Sequence, residues 1–158
     1  MKRILSSATA ILLLLLCLSA CSIIGLRENR STDTRSTDFK NFDEKIAFLK
    51  EYIQDPTEIL DAEYHIMYWD NSSGLLPAPS DWDMTMAIKL NPQDIPQWLD
   101  GMHEVTKKEI DMSWWDELYP TLDSWNLGEP SAYYERDDSF SYLVLYRESN
   151  VILKSFTS

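Results

Sequence analysis

Cysteine is nearly missing from this chain. The 158 residues hold two, Cys17 and Cys21, and none follows position 21. Residues 22–158 therefore carry no disulfide, no thiol nucleophile and no cysteine metal ligand, and their fold rests on its core alone. Glycine is scarce too, four in all, and no glycine-rich phosphate-cradling loop occurs. The two histidines, His65 and His103, lie far apart without metal-ligand spacing. No Gly-x-Ser-x-Gly elbow or Ser-x-x-Lys pair is present. Basic residues number 14 against 26 acidic ones, a formal charge of −12. So acidic a chain lacks the basic patch of a nucleic-acid binder and any electrostatic hold on anionic lipid. It suits solubility, or a basic partner.

The first twenty residues have three zones. Lys2 and Arg3 give a positive start, Ala8–Leu18 is an apolar run, and the small residues Ser19 and Ala20 precede Cys21. That order is the order of an export signal. The run is well short of the roughly 20 apolar residues that span a bilayer. Leu18-Ser19-Ala20-Cys21 resembles the lipobox of bacterial lipoprotein precursors, and the resemblance covers the signal only. It implies a diacylglycerol on the Cys21 thiol, cleavage before Cys21 and, often, acylation of the new amino end. Two or more acyl chains, at about 0.8 kcal/mol per buried methylene, hold a protein stably on a membrane. The expected location is thus a membrane on its exported side. Ser22, not aspartate, follows the cysteine. By the same resemblance this favours the outer membrane if the envelope is Gram-negative. Losing Lys2 and Arg3 leaves 12 basic residues against 26 acidic ones, a charge of −14.

Residues 21–40 read as a lipidated tether. Arg30 to Asp38 nearly repeats a polar tetrapeptide without apolar period, and such a segment cannot bury enough surface to order itself. A single small domain is expected over 41–158. Phe42, Ile46, Leu49 and Ile53 share a helical face, with Asn41 and Glu44 in capping-box register and Asp55-Pro56 as the stop, so a helix is predicted over about 42–54. Ala62, Tyr64, Ile66 and Tyr68 alternate with Glu63, His65, Met67 and Trp69 in a strand near 60–70. Met84, Met86, Ile88 and Leu90 line one side of a second, near 83–90, expected to pair antiparallel with the first. Asp94 fits the cap of a short helix that Gly101 can end. Residues 103–130 are hardest to read, because Pro120 interrupts the helical spacing of Trp114, Leu118, Leu122 and Trp125. Runs at 132–136, 140–147 and 151–156 read as strands, the middle one apolar on both faces. The expected fold is α+β: a five-stranded, mostly antiparallel sheet with helices packed on one face, ending in a three-stranded meander.

Aromatics are what the chain has in quantity, with six Trp and eight Tyr. Such rings build cores and also binding hot spots. Adjacent Trp114 and Trp115 cannot easily both face one core, so at least one should be partly exposed. Trp114, Trp115 and Trp82 are therefore the candidate partner-binding residues, and no catalytic residue, metal site or cofactor is indicated. The acids Asp81, Asp83, Glu109, Asp111, Asp116 and Glu117 lie near these rings, but no spacing marks a catalytic pair. The sequence points to a lipid-anchored envelope domain that presents an acidic, Trp-rich surface to a protein or other envelope partner, inhibitor or immunity type included. The alternatives are a small enzyme acting on cell wall or glycan, and a structural assembly lipoprotein.

Overall fold

A computed structural model of the chain describes residues 31–54, 57–71, 80–137 and 140–157, with Lys108 described in its backbone only. The signal, Cys21, the expected helix stop at Asp55-Pro56 and most of the turn after Trp69 lie outside the described residues. Among the described residues no helix is long and apolar enough to cross a membrane.

Among the described residues the sheet has seven strands, which corrects the expected five. They are β1 (Thr32–Arg35), β2 (Ile59–Trp69), β3 (Asp81–Leu90), β4 (His103–Val105), β5 (Ala132–Glu135), β6 (Phe140–Tyr146) and β7 (Val151–Thr157). They lie in the order β1-β2-β3-β7-β6-β5-β4, and every pair is antiparallel. The order is not a simple meander, because β7 returns to lie between β3 and β6. The two strands that sequence reasoning missed are the two edges. β1 falls inside the segment read as tether, so residues 32–38, a strand and a 3-10 turn, belong to the folded domain. β4 falls in the least readable stretch. Both are short and polar. An edge strand's backbone groups need only one neighbour, so it carries no apolar alternation of its own.

The second correction concerns the layers, since chain packs on both faces of the sheet and not on one. Successive residues of a strand point to opposite sides. On one side Tyr64, Met86, Leu143 and Ile152 meet Ile46 and Leu49 of α1 (Phe42–Leu49), and Ile95 and Trp98 of a one-turn helix. On the other side Ala87, Val144, Tyr146 and Leu153 meet Ile110, Trp115, Leu118 and Leu122. That second cover is a succession of 3-10 turns around the one-turn helix Tyr119–Leu122. β6 feeds both cores, Leu143 and Leu145 one way, Val144 and Tyr146 the other.

α1 starts where expected: the Asn41 side chain accepts from the Glu44 N–H at 2.9 Å. It ends earlier, at Leu49, and the chain leaves through bonds of the 3-10 kind, Glu51 N–H to Phe48 C=O and Tyr52 N–H to Leu49 C=O. The Tyr64 hydroxyl fastens the helix to the sheet by donating to the Lys45 carbonyl at 2.9 Å.

Candidate functional site

α1 and the turn Ile95–Trp98 leave a gap over the middle of the sheet, and a cleft of about 540 Å³ lies there. Its floor follows from strand register. Met84, Phe156 and Ser141 form one cross-strand row, and Met86, Lys154 and Leu143 form the next. The chain leaving β5 brings Arg136 beside Ser141, whose carbonyl accepts from the Arg136 N–H at 3.1 Å. Tyr52 and Gln54, past the end of α1, and Trp98 form the walls. The Trp98 Nε1–H donates to Thr57 Oγ1 at 2.9 Å, which fixes that wall. A smaller groove of about 290 Å³ shares Tyr52, Met84 and Phe156 with the cleft and reaches Trp82. These volumes are those of small-molecule sites.

Two cations enter this cleft. Lys154 has the parity of Ile152 and Phe156, so its stem lies on the packed face. Its Nζ stands 5.9 Å from the centroid of the Trp98 ring. Burial pushes the Lys154 amine below the usual lysine range, and the neighbouring Arg136 charge pushes the same way. Arg136 Nη2 donates to the Asp100 carbonyl at 3.0 Å, while its Nε is buried with no hydrogen-bond partner. The guanidinium lies against Gly101, where φ is +71° and only glycine is at ease. Among the described residues no acidic side chain lines the cleft. In a chain of net charge −12, two cations converge in this cleft, while Asp100 and Asp137 line a neighbouring groove with Arg136.

The opposite face has its own cleft, of about 300 Å³, at the same end of the sheet. Its floor is His65 and Thr85 in one row and Met67, Asp83 and Thr157 in the next, under Ser113, Trp114 and Glu117. His65 is buried between two carboxylates: Nε2 is 2.7 Å from Asp33 Oδ1, and Nδ1 is 3.0 Å from Glu117 Oε2. Arg35 Nη2 donates to that same Glu117 oxygen at 2.8 Å. The network ties β1 and β2 to the turn that carries Glu117. His103, in β4, faces Glu135 at 3.0 Å and Asp137 at 3.4 Å. Among the described residues no three His, Asp or Glu side chains gather as a metal site requires.

The three tryptophans singled out from sequence do not share a surface. Trp115 is fully buried in the core of the second face. Trp114 is half-buried, meets Tyr142 edge-on at 5.3 Å, and lines the cleft beside His65. Trp82 belongs to the α1 face, against Tyr68 at 4.4 Å and Tyr52 at 5.2 Å. The sheet stands between Trp82 and the pair.

No protein-family model, curated protein or solved structure matches this chain. Function has to come from the site. Sequence reasoning placed Trp82 among the candidates and missed Lys154 and Arg136. A signal for Lys154 was present: within Val-Ile-Leu-Lys-Ser-Phe it shares the parity of Ile152 and Phe156, and a lysine in that register is buried against its nature. Arg136 gives no such signal. It follows β5, and only the pairing with Ser141 turns it toward the cleft.

Proposed function

We propose that the chain is a lipid-anchored envelope protein that works by binding, with the cleft on the α1 face as its ligand site. The observation that carries this reading is the Lys154–Arg136 pair, two cations in a cleft between Tyr52 and Trp98 that no acidic side chain lines among the described residues, one of them with a buried, unanswered donor. Leaving such a donor unmet costs about 1–3 kcal/mol. A charge taken from water without a partner is a further loss. An anionic ligand in the cleft would supply the counter-charge. The anchor rests on the lipobox resemblance at Cys21.

Two experiments test this reading. Labelling cells with a palmitate analogue should mark the wild-type protein and leave Cys21→Ser unmarked. Nile red, an uncharged apolar dye, should bind the wild-type protein saturably, and Gln54→Trp, which narrows the cleft from its exposed wall, should abolish that binding. Equal dye binding by both proteins would place the apolar site elsewhere.

A second reading draws on the other face. Asp83 and Glu117 line one cleft beside Trp114, the kind of grouping a glycan-acting enzyme uses. Glu117 is already engaged by Arg35 and His65, which weakens this alternative. Release of soluble fragments from cell-wall glycan by the wild type, but not by Asp83→Asn, would reinstate it.

A further inference from the structure

We infer that the cleft on the α1 face takes a single-chain amphiphile with an anionic head, the head between Lys154 and Arg136 and the chain along the groove toward Trp82. This rests on the reading of that cleft as the ligand site and names the chemistry of its ligand.

The head is assigned by charge. A neutral or cationic head would leave Lys154 and Arg136 without a counter-charge. A carboxylate or phosphate oxygen answers both, and bonds to such charged groups are shorter and stronger than neutral ones. The tail is assigned by the floor. From Arg136 the row runs through Ser141 on β6 and Phe156 on β7 to Met84 on β3. That is three strand spacings, roughly 14 Å at about 4.8 Å each. Beyond Met84 the smaller groove continues between Tyr52 and Trp82. Past Ser141 the Phe156 and Met84 side chains make a soft, apolar bed for an acyl chain. Arg136 faces Lys154 within the cleft, Asp100 and Asp137 line the neighbouring groove on the other side of Arg136, and Glu51 stands at the rim of the outer groove. The two cations that line the cleft set the end at which the head sits.

The test uses the full-length lipidated protein in phosphatidylcholine nanodiscs, with empty discs as the blank and tryptophan fluorescence as the readout. The probes are octanoate, octyl phosphate, octanol and octyltrimethylammonium. Octanoate, octyl phosphate or both should bind at least about tenfold more tightly than octanol or the ammonium, and the comparison of the two anions identifies the head. Lengthening the anion by one methylene should tighten binding about fourfold until the groove ends. Lys154→Met and Arg136→Gln should each weaken the anions about tenfold and leave octanol unchanged. Equal binding of all four probes, with both variants silent, would overturn the anionic head while leaving the cleft as an apolar site. Acetate or inorganic phosphate binding as tightly as the eight-carbon anions would overturn the tail. Failure of every probe, with Nile red binding lost as well, would remove the cleft itself as the ligand site.

Discussion

A lysine amine set among Met86, Trp98 and Phe156 loses hydration that no carboxylate of the cleft restores, so Lys154 costs the fold stability. Lys154→Met keeps most of the stem and drops the charge. It should raise stability by about 1 kcal/mol, a few degrees in Tm, while it weakens the anion site. The pH dependence gives the sign. The folded-state pKa of Lys154 is lowered, so between it and the unfolded value, about 10.4, the unfolded chain binds more protons and this group's contribution rises with pH. The advantage of Lys154→Met, followed by thermal unfolding, should be full at neutral pH and shrink as pH climbs toward about 10. Lys45 acts oppositely. Burial lowers its pKa, but hydrogen bonds to Asp61 and Glu63 overcome that and raise it, so its stabilisation persists below about 10.4 and is lost as pH rises through the folded value. For that reason the variant difference, and not the raw pH curve, isolates Lys154. The tryptophan pair separates in the same way. Trp115 is wholly buried, and Trp115→Ala should cost about 3–5 kcal/mol in urea unfolding, whereas half-buried Trp114 should cost roughly 1–2.

The Arg35–Glu117–His65–Asp33 network holds β1 to a turn far along the chain. The Glu117 side chain is 59% exposed, so Glu117→Gln should cost little overall, roughly 0.5–1 kcal/mol. The effect should instead be local: amide exchange in Thr32–Arg35 should quicken several-fold while β6 stays protected, since edges open before the centre. Uniform quickening in hydrogen–deuterium exchange would mean that β1 is integral to the global core. This same edge shows what the sequence made legible. α1, β2, β3, β6 and β7 each bury a periodic apolar set, and that period is printed in the residues. β1 reads Thr-Asp-Thr-Arg and β4 reads His-Glu-Val, and their only reason to be strands is a neighbour with free backbone groups. A partner roughly thirty residues away leaves no local mark. The 107–125 cover was opaque for another reason: its buried residues Ile110, Trp115, Leu118 and Leu122 come from changing turn types, so no single period runs through them. Of the site, one half of the cleft was readable, in the β3 and β7 alternation. The half that gives it chemistry comes from pairing between strands that the chain order does not reveal.

A site for anions in a protein of charge −12 works against the molecule's own field. At distance an approaching anion meets the summed repulsion of the surface acids. Inside the cleft it meets Lys154 and Arg136 at short range. Salt separates the two. The Debye length falls from about 30 Å at 0.01 M to about 8 Å at 0.15 M, which removes long-range repulsion and leaves a contact inside a cleft largely intact. Association of octanoate, followed by stopped flow, should therefore quicken by a few-fold over that salt range, and its dissociation should hardly change. A basic protein docking on the acidic exterior would show the reverse, fast association at low salt and a steep loss as salt is added. One salt series thus assigns a captured partner to the cleft or to the outer surface. An octanoate rate that falls steeply with salt would mean that the cations govern the field beyond the cleft mouth, and that the acidic surface does not reach it.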